Sequence, residues 1–277
     1  MSLRISTNVQ ALAAQRYLNN NSASQNRALE KLSSGSRINR AGDDAAGLAI
    51  SERLRANIRS MKQAIRNAND GVGLVQTAEG GMNEISNILV RLRELSIQSS
   101  SDTIGPTERG FVDKEVQSLK AEIDRISNST EFNGIRLLNG TADALEIQVG
   151  LYNNPTNDRF VFDTAPNETT LKALGLADVS TMTRENSQSN LAALDSAITR
   201  LNENRSNLGA LQNRLQSSIN NMTIYRENLE GANARIRDTD MAEETSELTK
   251  ANILSQAAIS VLGQANQNPQ LALKLLG

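Results

Sequence analysis

Three long stretches of the chain repeat apolar residues every three or four positions, and both ends carry the same pattern in diluted form. In the first third, Leu54, Ile58, Met61, Ile65, Ala68, Val72, Val75, Met82 and Leu89 follow alternating steps of four and three, a heptad seam. One slot of this seam falls on Glu79, among Gly71, Gly73, Gly80 and Gly81. Each helical glycine costs about 0.5–1 kcal/mol relative to alanine, so close packing by neighbouring helices is expected to hold this face, Gly80 included. A second seam, Val112, Val116, Leu119, Ile123 and Ile126, follows the Gly105-Pro106 break. It predicts a helix of about five turns with Thr107 as its N-cap. The longest seam is Leu194, Leu201, Leu208, Leu215, Met222, Leu229 and Ile236, with Leu191, Ile198, Leu211 and Tyr225 on the adjoining row. Its strict sevens predict left-handed coiling against partners.

Between the seams the period changes. Residues 128–140, NSTEFNGIRLLNG, are rich in turn formers. Leu145, Ile147, Val149 and Leu151 then alternate with mostly polar residues and face Phe160 and Phe162 across the turn at 153–157, which predicts a β-hairpin. A short helical piece at 170–174 is expected to end at Gly175. At the ends, Ile5, Val9 and Leu12 start a stripe that Asn19, Asn20, Asn21, Ser22 and Ser24 dilute; Met241, Leu248, Ile259 and Leu262 are diluted by Thr245, Asn252 and Ser255. Ordering a residue costs about 1–2 kcal/mol of backbone entropy, and a buried Leu or Ile returns about 1.5–3. Neither end is therefore expected to be stably helical alone; both are expected to order on other copies of the chain.

Composition narrows the function more by what it lacks. Aromatic residues make up 3% of the 277 residues and Trp is absent, which suits helices burying narrow stripes better than one compact core. The net charge of −2 offers no basic face for phosphates, so nucleic acid is not an expected partner. Without Cys or His there is no thiol nucleophile, no disulfide, no usual general base and no ordinary zinc site. No cofactor is expected. Arg4, Asn8 and Gln10 interrupt the start where a secretory signal needs an apolar run, and no stretch approaches the roughly 20 apolar residues of a membrane span. An extracellular destination would need a dedicated exporter that leaves the N-terminus uncleaved.

The charged clusters have plain structural readings. Asp43-Asp44 after Gly42 reads as a helix start, its acids complementing the helix dipole and pairing with Arg37 and Arg40, rather than as a catalytic carboxylate pair. Arg91, Arg93, Glu94 and Leu95 read as a solvated helix face with local ion pairs of about 0.3–0.5 kcal/mol each. Leu271, Leu273, Leu275 and Leu276, with Lys274 as the lone basic residue, suit a packed stripe or a chaperone groove better than a membrane surface. The Asn-x-Ser/Thr patterns at Asn20, Asn128, Asn139, Asn167 and Asn221 occur at about the frequency expected of an Asn- and Ser-rich chain, with no sign of modification.

Two of these stretches are also recognisable. Residues 33–50, SSGSRINRAGDDAAGLAI, continued by 69–99, closely resemble the N-terminal signature of bacterial flagellins. Residues 236–257, IRDTDMAEETSELTKANILSQA, with 261–267 and the leucine-rich close, resemble the C-terminal one. The resemblance implies a mainly α fold: a long antiparallel helical coiled-coil rod built from both chain ends, with a small β-hairpin in the middle. Residues 1–44 with 240–277 would form an inner terminal-helix domain, 45–128 with 187–239 the rod, and 129–186 a minimal tip in place of the outer domains. It implies a structural, non-enzymatic subunit that polymerises into the extracellular flagellar filament, exported unfolded and folding on assembly. Implied partners are other copies of itself, the flagellar export apparatus, an export chaperone at the C-terminus, and hook–filament junction and cap proteins. It further implies that Arg91, Leu95 and Glu115 form the patch read by a vertebrate Toll-like receptor.

Three other readings fit less well. A flagellar junction protein shares the terminal rods but is expected to carry a larger middle. A generic cytoplasmic coiled-coil scaffold leaves the Asn-rich, weakly apolar ends unexplained. A metallopeptidase inserted in the outer domain requires His residues that are absent.

Overall fold

The computed structural model describes residues 7–274, with side chains described as far as residue 267. Five helices are described: α1 (Val9–Ser34), α2 (Ala45–Ser99), α3 (Pro106–Ser129), α4 (Arg184–Arg237) and α5 (Met241–Lys274). Two antiparallel strand pairs lie between α3 and α4: β1 (Glu131–Phe132) with β2 (Ile135–Arg136), and β3 (Leu145–Gln148) with β4 (Arg159–Phe162). The chain divides into two compact units, residues 1–58 with 227–277 and residues 59–226.

The unit of residues 59–226 contains the hydrophobic core. Met61, Ala68, Val75, Met82 and Leu89 from the first seam are buried with Leu194, Leu201, Leu208, Leu215 and Met222 from the last, while Ile65, Val72 and Leu211 pack half-buried beside them. Glu79 pairs with Arg205 and Arg93 with Asp195, so α2 and α4 run antiparallel here. On the adjoining row Tyr225 is 48% exposed and contributes little to the seam.

Helix α3 is longer than its seam suggested, because it begins at Pro106. Gly105 is the N-cap, with no side-chain capping bond, and Thr107 lies inside the first turn. Proline at the first helical position needs no such cap, since its missing N–H removes one of the orphan donors.

The predicted hairpin forms in the expected register, Leu145 opposite Phe162 and Ile147 opposite Phe160. The smaller β1–β2 hairpin arises within the turn-rich stretch. Its signal was the Asn133-Gly134 pair, both at positive φ (51° and 78°), the conformation of a tight hairpin turn. Both hairpins press on α2, and this explains two of its glycines. A Cβ on Gly71 would lie 2.7 Å from Ile147, and one on Gly81 would lie 2.7 Å from Thr130 and 2.8 Å from Leu138. Gly80 meets nothing within 4 Å, so the expectation of packing there is corrected: hairpin and loop side chains, not neighbouring helices, require the glycines, and Gly80 is not one of them.

In the unit of residues 1–58 with 227–277, α1 and α5 pack along each other, and the connectors beside them dock. Arg37 N–H donates to Arg237 O (2.6 Å), Thr239 N–H donates to Gly35 O (3.0 Å), and Ser36 bridges to Asp238. Gly35 ends α1 in the left-handed region at φ 68°. Leu54, Leu229 and Ile236 are half-buried in this unit and Ile58 is buried.

Candidate assembly and recognition surfaces

Small and polar residues close the α1–α5 pair. Ala14 and Ala28 on α1 and Ala251 and Ala265 on α5 are at most 5% exposed. Asn8 donates to Ala265 O (2.8 Å) at one end of the pair, Gln25 donates to Asn252 (2.8 Å) midway, and Lys31 meets Glu244 (3.2 Å) at the other. Asn8 also caps α1 through Ala11 N–H, and Asp240 caps α5 through Ala242 N–H. The diluted ends therefore form helices against each other.

The large apolar side chains are left outside. Val9, Leu12, Tyr17 and Leu29 on α1, and Met241, Ile253, Leu254, Ile259 and Val261 on α5, are all between 45% and 63% exposed. Leu248 and Leu262 are half-buried. At 3.6 residues per turn, Leu254 and Val261 border the alanine face of α5 on one side and Met241 and Ile259 on the other. On α1, Tyr17 and Leu29 border the alanines, while Val9 and Leu12 lie behind them. Sequence reading missed Tyr17, Leu29, Ile253, Leu254 and Val261; all of these but Ile253, which lies behind the alanine face, make sense only as flanks of a pair. Ile5, Leu275 and Leu276 lie outside the described residues, and the side chains of Leu271 and Leu273 are not described.

At the α1–α2 connector, Asp44 accepts Gly47 N–H (2.8 Å) and Asp43 accepts the Arg40 and Asn39 N–H groups (2.9 and 3.1 Å). These backbone bonds hold the Asp43 carboxyl below its ordinary pKa. The pair is thus a helix-start device, as read, but the arginines do not pair with it. Arg37 donates to Ile236 O and Arg40 pairs with Glu30. The reason is local: backbone N–H groups already occupy the Asp43 carboxylate.

On the rod, Arg91 donates to Glu115 through Nε (3.0 Å) and Nη2 (2.9 Å), and its Nη1 reaches Glu94 (3.1 Å). Glu115 first, then Glu94, hold the guanidinium proton more tightly than usual. All three are exposed, whereas Leu95 is 1% exposed and belongs to the core. Arg91 and Glu115 are thus brought together at the surface, and Leu95 lies beneath them.

Comparison with known proteins decides what these surfaces belong to. The bacterial flagellin N-terminal helical region matches residues 5–143 and the C-terminal helical region matches residues 191–276. The chain belongs to the bacterial flagellins. This flagellin is 46% identical over 274 residues to the flagellin of Halalkalibacterium halodurans, covering 98% of this chain and 99% of that one. It is 40% identical over 308 residues to the flagellin of Bacillus subtilis, covering 99% and 100% respectively. The crystal structure of Bacillus cereus flagellin is similar with a TM-score of 0.51 and 31% identity, over 57% of this chain and 88% of that one. A hook-associated protein structure from Vibrio parahaemolyticus shares the fold at 12% identity and a TM-score of 0.58, over 71% of this chain and all of that one.

This flagellin is therefore a structural subunit of the flagellar filament and not an enzyme. Neither matched region covers residues 144–190, which hold the β3–β4 hairpin and the irregular segment before α4. Among the described residues no helix is long and apolar enough to cross a membrane.

Proposed function

We propose that this flagellin polymerises through the two apolar flanks of its α1–α5 pair, so that each pair in the filament is gripped on both sides by pairs of other copies. One observation carries this reading: alanines close the pair while nine large apolar side chains remain exposed. Full burial of a Leu or Ile side chain is worth about 1.5–3 kcal/mol, so the flanks hold most of the stabilisation these helices can gain. Head-to-tail contacts that do not close on themselves generate an open helix. The terminal helices, 1–44 with 240–277, make the filament core; 45–128 with 187–239 make the rod around it; 129–186 make the outward tip. The α1–α5 helices become fully ordered on assembly, coupling folding to binding. The subunit is exported unfolded to the outside of the cell. Its C-terminal leucines meet an export chaperone on the way, and cap and hook–filament junction proteins flank the growing polymer.

The test replaces Leu254 and Ile259, one on each side of the alanine face of α5, by Asp. Purified protein should keep its rod helices by circular dichroism yet form no filaments on salting, as seen in negative stain. Removal of 241–277 should do the same. Filaments of normal yield from either protein overturn the reading.

A second reading concerns host recognition. The exposed Arg91–Glu115 pair favours it, offering a paired cation and anion at the surface of the free subunit. A vertebrate Toll-like receptor docks on this pair, with Leu95 bracing it from below. An Arg91→Ala, Glu115→Ala monomer should lose most of the receptor-reporter response; an undiminished response removes the claim. Leu95→Ala is a poor probe, since the cavity it leaves costs about 2–5 kcal/mol of stability.

A further inference from the structure

Residues 169–181 cross α3 as an irregular strap whose backbone is held by side chains. Down one stripe of α3, at intervals of three or four, stand Asp113, Gln117, Lys120, Asp124 and Ser127, and each bonds a strap backbone group. Asp113 accepts Thr181 N–H (2.7 Å); Gln117 donates to Val179 O (3.3 Å); Lys120 donates to Ala177 O (2.7 Å) and Val179 O (2.8 Å). Asp124 accepts Leu171 N–H (3.0 Å) and Ser127 donates to Thr169 O (2.9 Å). From the other helices, Ser99 donates to Thr181 O, Asn190 to Ser180 O and Arg200 to Ala173 O. The strap's own backbone bonding is a turn at 170–176, in which Leu174 N–H donates to Thr170 O and Leu176 N–H to Leu171 O, and a single bond from Val179 N–H to Leu176 O; at its start Thr169 N–H donates to Leu138 O. The strap carries Leu174, Leu176 and Val179 into the core, each at most 5% exposed, beside Val116, Ile123, Leu194 and Leu201.

We propose that this strap is a latch: it opens as one unit while the rod helices stay folded, and Lys120 is its catch. A helix loses its hydrogen bonds only when its own backbone unwinds, but the strap loses most of its bonds when a few side chains let go. Cooperative units of that kind open below the free energy of global unfolding. The grip reads main-chain groups, so it holds the strap whatever its exposed residues are; Lys172 and Ala177 are free to change without releasing it. Lys120 is the catch because the residue is 7% exposed and its ammonium ties two carbonyls two residues apart.

Hydrogen–deuterium exchange read by mass spectrometry on the full-length monomer tests this. In the unaltered protein, strap amides should exchange faster than those of 85–95 and 194–215. Lys120→Met should accelerate the strap by about tenfold or more and leave the two helical stretches within about twofold, the signature of a local opening. Gln117→Ala, a milder change at the same stripe, should accelerate the strap alone to a smaller degree. Replacing Lys172 by Ala should leave strap exchange unchanged. The latch is refuted if Lys120→Met and Gln117→Ala leave the strap at its original rate, or if either speeds the helices as much as the strap.

Discussion

Gly80 and Gly81 are adjacent in sequence and opposite in packing. A methyl on Gly80 meets open space, whereas one on Gly81 runs into Thr130 and Leu138. Gly80→Ala should therefore raise rod stability by about 0.5–1 kcal/mol through helix propensity alone. Gly81→Ala should lower it by about 1 kcal/mol or more, because overpacking a filled site outweighs that gain. Urea denaturation of the two variants checks both signs. Lys120 makes a second prediction, on pH. Burial pushes its pKa below the ordinary 10.5, and Asp113, Asp178 and Asp124 oppose that shift without cancelling it. Between the lowered value and 10.5 the unfolded chain binds more protons than the folded one, so stability attributable to Lys120 rises with pH across that window. A neutral amine still has two N–H groups for its two carbonyls. The stability difference between wild type and Lys120→Met should widen as pH rises toward 10.5; a flat or shrinking difference contradicts the assignment.

The α2–α4 coiled coil is uniform except in one layer. There Glu79 occupies a seam slot, Arg205 sits 3.8 Å from it, and the buried Asn204 takes a core position between Leu201 and Leu208. Asn204 Nδ2 and Arg205 Nε have no hydrogen-bond partner among the described residues. A buried unsatisfied donor costs about 1–3 kcal/mol, so Asn204→Leu should raise the urea midpoint of the rod. A polar core residue of this kind commonly fixes register at the expense of stability. The helices themselves were legible because strict heptads state their period directly, and the β3–β4 hairpin because Leu145, Ile147, Phe160 and Phe162 alternate cleanly. The β1–β2 hairpin was overlooked because two-residue strands have no period to detect. The start of α3 was misjudged by two residues because proline and threonine compete as start signals and proline prevails. The grip on the strap was illegible for a deeper reason: Asp113, Gln117, Lys120, Asp124 and Ser127 have the spacing and polarity of a solvated stripe, and nothing in a sequence says that an irregular segment 50 or so residues later covers it. The exposed flanks of α1 and α5 escaped for a related reason, since a flank is defined by the partner helix and not by its own repeat.

The whole chain is built to be incomplete. Its rod unit has a dense core, whereas its terminal-helix unit is closed by alanines and displays its largest side chains. The same division predicts unequal melting: free subunits should lose α1 and α5 structure well below the temperature at which the rod unfolds, and filaments should lose both together. Calorimetry of monomer and polymer would show two transitions collapsing into one. The pairing of Asn8 with Ala265 has one more consequence. Because opposite extremities of the polypeptide must meet before either flank exists, a fragment from interrupted synthesis or a clipped molecule cannot display the adhesive surface. Under the proposed assembly this geometry acts as a check on integrity, admitting to the growing polymer only molecules that carry both helices.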